Sequence, residues 1–179
     1  KAGRIDGYQA EEYFSEQYCQ RLMDSFKYVL NMPLRIKRGQ RPKYRMIHAT
    51  NHREGCLLMV DNICKRWEAW QDIQSGGQVS FIAEDPNNHT VTPEDIEQYT
   101  MEHFQQCKNW TSLYDALAIF FMKYGPLCST GSVKKVLKDL EKKGMLQVLR
   151  NPEYTSNGKR KSMFMSEEKN QRVSVRWSQ

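Results

Sequence analysis

Ser129-Thr130-Gly131-Ser132-Val133-Lys134-Lys135-Val136-Leu137-Lys138-Asp139-Leu140-Glu141-Lys142-Lys143-Gly144 lies in the last third of a 179-residue chain, and its period decides the fold. Val133, Val136, Leu137 and Leu140 recur at the spacing of one helix face, which turns Lys134, Lys135, Lys138 and Lys142 to the outer faces. Ser129 and Gly144 are residue types that start and stop helices. The stretch predicts a helix with an apolar inner side and a basic outer side.

Downstream, residues 146–149 and 162–165 read as two strands around a basic turn, Asn157-Gly158-Lys159-Arg160-Lys161. Arg172-Val173-Ser174-Val175-Arg176-Trp177 alternates apolar and polar residues and reads as a last strand. Upstream, Thr92-Pro93-Glu94-Asp95 has the form of a helix start, with threonine as the cap, proline at the first position and acids in the first turn. Ile96, Tyr99 or Thr100, His103 or Phe104, and Cys107 would carry that helix to about Gln106. A second helix should begin after Thr111 or Ser112, bury Leu113, Ala116, Leu117, Phe120, Phe121 and Tyr124, and stop at Gly125-Pro126.

Three helices, a short turn between the second and third, and then a β-hairpin make the outline of a winged helix-turn-helix. In that fold the third helix enters the major groove by its N-terminal end. Ser129, Thr130 and Ser132 are the short donors expected to meet phosphate there, followed by Lys134, Lys135 and Lys138. Lys159, Arg160 and Lys161 at the wing tip would lie beside the duplex backbone. Paired Arg-guanine and Asn/Gln-adenine contacts are scarce on this helix, so weakly sequence-specific binding is expected, with duplex DNA as the partner. Winged helices also dock proteins, so a protein partner stands as the alternative. Lys142 and Lys143 need no ligand, because cations at a helix C-terminus complement its dipole.

The charge layout agrees with a basic end. Lys+Arg and Asp+Glu number 13 and 8 over residues 1–70, 2 and 8 over 71–129, and 12 and 5 over 130–179, for a net +6. Basic faces separated by an acidic stretch favour nucleic acid as the counterpart. The five cysteines form no Cys-x-x-Cys pair, which argues against a zinc site or a disulfide framework and fits a reducing, cytoplasmic setting. No signal peptide and no apolar run of membrane-spanning length is present, so no membrane partner is expected. The Asn-x-Thr triplets at Asn88 and Asn109 then read as chance. The chain opens on Lys1 rather than methionine, which predicts a piece of a longer protein.

The first third reads as helix, hairpin and helix. Ala10, Tyr13, Phe14, Gln17, Cys19 and Leu22 approximate a helical stripe between Gln9 and Ser25. Residues 26–30 and 44–50 suggest two strands joined by the basic connector 35–43, with Pro33 and Pro42 at the hairpin ends. From Arg53 a second helix would bury Leu57, Val60, Ile63 or Cys64, Trp67 and Trp70.

The run Tyr28-Val29-Leu30-Asn31-Met32-Pro33-Leu34, the connector, and Tyr44-Arg45-Met46-Ile47-His48-Ala49-Thr50-Asn51-His52 with Gly55 resembles the end of the methyltransferase-like domain of three-Cys-motif partner (TcmP) proteins. The similarity covers roughly residues 20–70. It implies the last two antiparallel strands of a Rossmann-like methyltransferase sheet, with the family's winged-helix module over about 92–179 and an iron-sulfur-type partner protein. The glycine-rich loop that such a fold uses for S-adenosylmethionine is missing from this chain, as is a recognisable ribose-binding acid. No cofactor-binding residue is therefore assigned here; an S-adenosylmethionine site is left to the parent protein, and this chain is not expected to methylate by itself.

No catalytic residue is assigned either. Asn31-Met32-Pro33-Leu34 is similar to the Asn/Asp-Pro-Pro-aromatic signature of amino-methyltransferases, but it lacks the second proline and the stacking aromatic, and reads as an edge strand. His48, His52 and Cys56 are too few for a metal site and read as a strand histidine with a buried thiol nearby. The expected class is α+β: a tail of a Rossmann-like domain over 1–75, a linker over 76–91, and a winged helix-turn-helix over 92–179.

Overall fold

The computed structural model describes residues 7–34, 44–74, 91–154, 167 and 171–178. Helix and small antiparallel sheets are mixed, and the chain divides into two compact units, Lys1–Thr90 and Val91–Gln179. The segment expected to link them lies largely outside the described residues, as do the connector 35–43 and the basic turn with Lys159, Arg160 and Lys161.

The first unit runs α1 (Gly7–Met23), β1 (Tyr28–Leu34), β2 (Tyr44–Thr50) and α2 (Arg53–Gln74). The strands pair antiparallel from Tyr28 opposite Thr50 to Leu34 opposite Tyr44, as the sequence suggests. Strand alternation gives this ribbon two faces. Tyr28, Leu30 and Met32 occupy one and are fully buried, while α2 supplies a matching buried row of Cys56, Leu57, Val60, Ile63 and Cys64. The side chains of Trp67 and Trp70 lie outside the described residues.

The opposite face carries Val29, Ile47 and Ala49 together with Asn31 and Arg45, and α1 meets the last two with polar groups. Asn31 donates to the Ser15 hydroxyl at 2.6 Å, and the Arg45 guanidinium pairs with the Glu11 carboxylate while reaching the Asn31 side-chain oxygen at 3.3 Å. This overturns the aromatic stripe expected for α1. Cys19 is buried, but Tyr13 is 53% exposed and Phe14 70%, while Glu11 and Ser15 of the same helix make the contacts to Arg45 and Asn31. β1 also starts two residues later than expected. Ser25 and Phe26 donate their backbone N–H to the Leu22 carbonyl and belong to the turn that ends α1.

The second unit runs α3 (Pro93–Phe104), β3 (Thr111–Ser112), α4 (Leu113–Tyr124), α5 (Thr130–Lys142), β4 (Leu146–Asn151) and β5 (Arg172–Trp177). α3 opens with a full capping box in which the Thr92 hydroxyl accepts from the Asp95 N–H and the Asp95 carboxylate accepts from the Thr92 N–H. α4 stops at Gly125, whose φ of +78° suits glycine. α5 ends in a Schellman closure: the Met145 N–H donates to the Leu140 carbonyl, that of Gly144 to Glu141, and Gly144 takes φ +74°.

The sheet order is β3-β5-β4, with every pairing antiparallel. β4 pairs with β5 from Leu146 opposite Trp177 to Asn151 opposite Arg172, so the described partner of the strand after α5 is 172–177. The expected strand 162–165 falls outside the described residues. β3 was not foreseen, because two residues are too few to show a period. Phe104, Leu113, Leu117, Phe120, Phe121, Val133, Leu137, Leu140, Leu146, Val173 and Val175 are all nearly inaccessible and form the core under this sheet.

Candidate nucleic-acid interface

α5 is where helix periodicity and charge meet. Val133, Leu137 and Leu140 are buried, while Gly131, Lys135 and Lys142 are exposed on the far side, with Lys134 and Lys138 half-buried at its flanks. Lys135 makes no ion pair among the described residues. Lys134 lies along the start of α4, its Nζ 5.0 Å from the Tyr114 ring centroid. That cation-π contact holds the ammonium without neutralising it.

The helix N-terminus differs from expectation in a specific way. The Ser129 hydroxyl accepts from the Ser132 N–H at 3.3 Å and lies 3.1 Å from the Ser132 hydroxyl, so both serines are engaged in capping. Thr130 is only 5% exposed and is packed into the unit rather than offered outward. Of the three short donors expected to meet phosphate, Thr130 is buried, and Ser129 and Ser132 are half-buried and start the helix. What remains outward at this end is Gly131, with no side chain, followed by Lys135.

The basic face is also partly compensated. Lys142 Nζ sits 3.3 Å from Asp139, and Lys143 pairs with Glu97 at 3.2 Å. These two lysines therefore brace the C-terminal half of α5. Arg150 on β4 makes a two-pronged pair with Glu141 on α5, both distances being 2.8 Å, and ties the helix to the sheet in a largely enclosed position. The sequence pattern did not reveal this pair, because nothing in spacing links position 141 to 150 until the turn between them is known.

Glu167 was also not singled out. Its carboxylate accepts from the Ser112 hydroxyl at 2.9 Å and from the Tyr114 N–H at 3.3 Å, and so occupies the start of α4. His103 is buried among Phe104, Phe120 and Tyr124, and its Nε2 donates to the Ala116 carbonyl oxygen at 3.1 Å. Burial lowers its pKa below the ordinary histidine value, which keeps the ring neutral.

In the first unit the reactive side chains are accounted for structurally. Asn31 is held by Ser15 and Arg45 inside β1. Cys56 is fully buried, its thiol pushed up to about 11 by desolvation, while His52 is exposed. Among the described residues no group of three or more His, Cys, Asp or Glu side chains could hold a metal ion, and no helix is long and apolar enough to cross a membrane. Comparison of the chain with protein-family models, with curated proteins and with solved structures finds no match.

Proposed function

We propose that the second unit is a winged helix-turn-helix that binds nucleic acid, with duplex DNA the preferred form, and that it positions a TcmP-type, methyltransferase-like protein. The observation carrying this reading is α5 itself: an inner row of Val133, Leu137 and Leu140 and an outward Lys135 flanked by Lys134 and Lys138. The element order α3-β3-α4-α5-β4-β5, with a five-residue turn from 125 to 129 between α4 and α5, supports the fold assignment. Lysines recognise phosphate as point charges, so the expected binding is strongly salt-dependent and weakly sequence-specific.

The helix, hairpin and helix of the first unit support its kinship with the tail of a methyltransferase-like sheet. No S-adenosylmethionine-binding residue is assigned to it. A second reading, a docking scaffold for a partner protein, draws on the exposed Tyr13, Phe14 and Tyr18 of α1.

Titration of labelled duplex DNA at two salt concentrations tests the first reading. Log affinity should fall with log salt at a slope of about 0.9 per phosphate contact. Replacing Lys134, Lys135 and Lys138 together by alanine should weaken binding and flatten that slope by up to about 3 contacts' worth. Unchanged binding would remove α5 as the contact helix.

A further inference from the structure

The outer face of the β3-β5-β4 sheet follows from its register. Val173 and Val175 are buried against the helices, so Arg172, Ser174 and Arg176 point the other way. Antiparallel pairing sets Asn151, Leu149 and Gln147 opposite those three. None of these six outward positions carries a carboxylate.

Trp110, the residue before β3, stands on the same side. Its ring centroid is 4.7 Å from the Arg176 guanidinium carbon, and the residue is 44% exposed. Arg176 Nη2 also donates to the Gln147 side-chain oxygen at 2.6 Å, which fixes the guanidinium beside the indole. Arg172, at the other end of β5, is exposed. The guanidinium takes one face of the partly exposed indole, and the exposed remainder of the ring is the stacking surface for a further planar group.

We propose that this sheet face binds single-stranded nucleic acid, a base stacking on Trp110 and phosphates meeting Arg172 and Arg176. The chemistry favours a single strand over a protein. The apolar area is confined to Trp110 and Leu149, the cations Arg172 and Arg176 are set against one described carboxylate, Glu167, which is taken up by the Ser112 hydroxyl and the Tyr114 N–H, and the Asn151 amide adds hydrogen-bonding capacity. It favours a single strand over a duplex because only unpaired bases can present a face to an aromatic ring. α5 packs on the inner side of the sheet through Glu141 and Arg150, so this surface is distinct from the lysine face.

Fluorescence anisotropy of the full chain with labelled oligo(dT) of about 12 nucleotides, and separately with a blunt duplex, tests the proposal. Trp110→Ala should weaken oligo(dT) binding about tenfold, as expected for loss of one stacked base, while Trp110→Phe keeps most of it. Arg172→Gln, at an exposed position, should weaken oligo(dT) binding and lower its salt dependence. All three should leave duplex affinity unchanged, and the Lys134, Lys135 and Lys138 triple variant should do the reverse, which separates failure of this surface from failure of α5. The proposal is overturned if the wild-type chain ignores oligo(dT), if Trp110→Ala and Arg172→Gln bind it as well as wild type, or if the lysine variant loses strand and duplex together. Dimerisation of the wild-type chain that Trp110→Ala abolishes would also overturn it, by assigning the face to a second copy.

Discussion

The His103 imidazole gives up water on folding and keeps one hydrogen bond, to the Ala116 carbonyl oxygen. Desolvation lowers its pKa in the folded unit, whereas in the unfolded chain it titrates near 6.5. Above that pH both states hold a neutral ring and the packing contributes in full. As pH falls below about 6.5 the unfolded chain takes up a proton that the folded ring resists, so stability is lost at up to about 1.4 kcal/mol per pH unit. Thermal melts between pH 7.5 and 5.5 should show a falling midpoint, and His103→Phe should flatten that slope; equal slopes in the two proteins would show that another group is responsible. A second residue-scale test concerns the Arg150–Glu141 pair, where the side chains are 10% and 18% exposed. Removing one partner strands the other charge in a place water barely reaches, so Glu141→Ala should cost about 2–4 kcal/mol in denaturant unfolding. Arg150→Lys should recover little, because an ammonium cannot make the two-pronged contact.

At the scale of elements, α5 is held by its two ends as well as by its core row. Ser129→Ala removes the acceptor for the Ser132 N–H and should lower stability by about 1 kcal/mol. Gly144→Ala forces an L side chain to φ +74°, at a cost of about 1–2 kcal/mol even though a Cβ there would meet open space. Chemical denaturation of each variant checks both, and an undiminished Gly144→Ala protein would mean that the closure rearranges. These ends were legible in the sequence, since caps and stops are local chemistry: Thr92-Pro93, Ser112, Gly125-Pro126, Ser129 and Gly144 all fall where α3, α4 and α5 begin or end. The orientation of α1 was not, because Tyr13 and Phe14 satisfy a helical stripe yet are exposed, and the helix is seated by Ser15–Asn31 and Glu11–Arg45 contacts that spacing does not reveal. β3 and the pairing of β4 with β5 were equally out of reach, since they join residues far apart in the chain. The candidate site was half legible for the same reason. Periodicity turned the lysines outward, but only tertiary contacts show Thr130 buried, Lys143 engaged with Glu97, and Trp110 beneath Arg176.

At the scale of the whole molecule, the two units differ in how completely each satisfies itself. Residues 91–179 begin on their own helix cap, and their sheet draws one strand from before α4 and two from after α5, so the core is closed by chain from both ends of the unit. Both units leave large apolar side chains exposed, Ile119, Leu149 and Tyr154 in one and Tyr13, Phe14, Tyr18, Tyr44 and Leu58 in the other, but the described sheet of residues 1–90 is only a two-stranded ribbon. Two strands alone are marginal in water and need a packed partner. The fragment 91–179, which carries 14 Lys+Arg against 10 Asp+Glu, should therefore fold alone. Its far-ultraviolet circular dichroism and its Trp110 and Trp177 fluorescence should lose signal in one coincident transition, as two-state unfolding requires. If α5 is the contact helix, the same fragment should bind duplex DNA with the salt slope of the full chain, because no phosphate contact is assigned to the first unit. Separate transitions by the two probes would mean that the second unit depends on the first for its core. A shallower slope with a cooperative melt would instead place part of the phosphate contact on residues 1–90, whose 13 Lys+Arg outnumber 11 Asp+Glu only slightly.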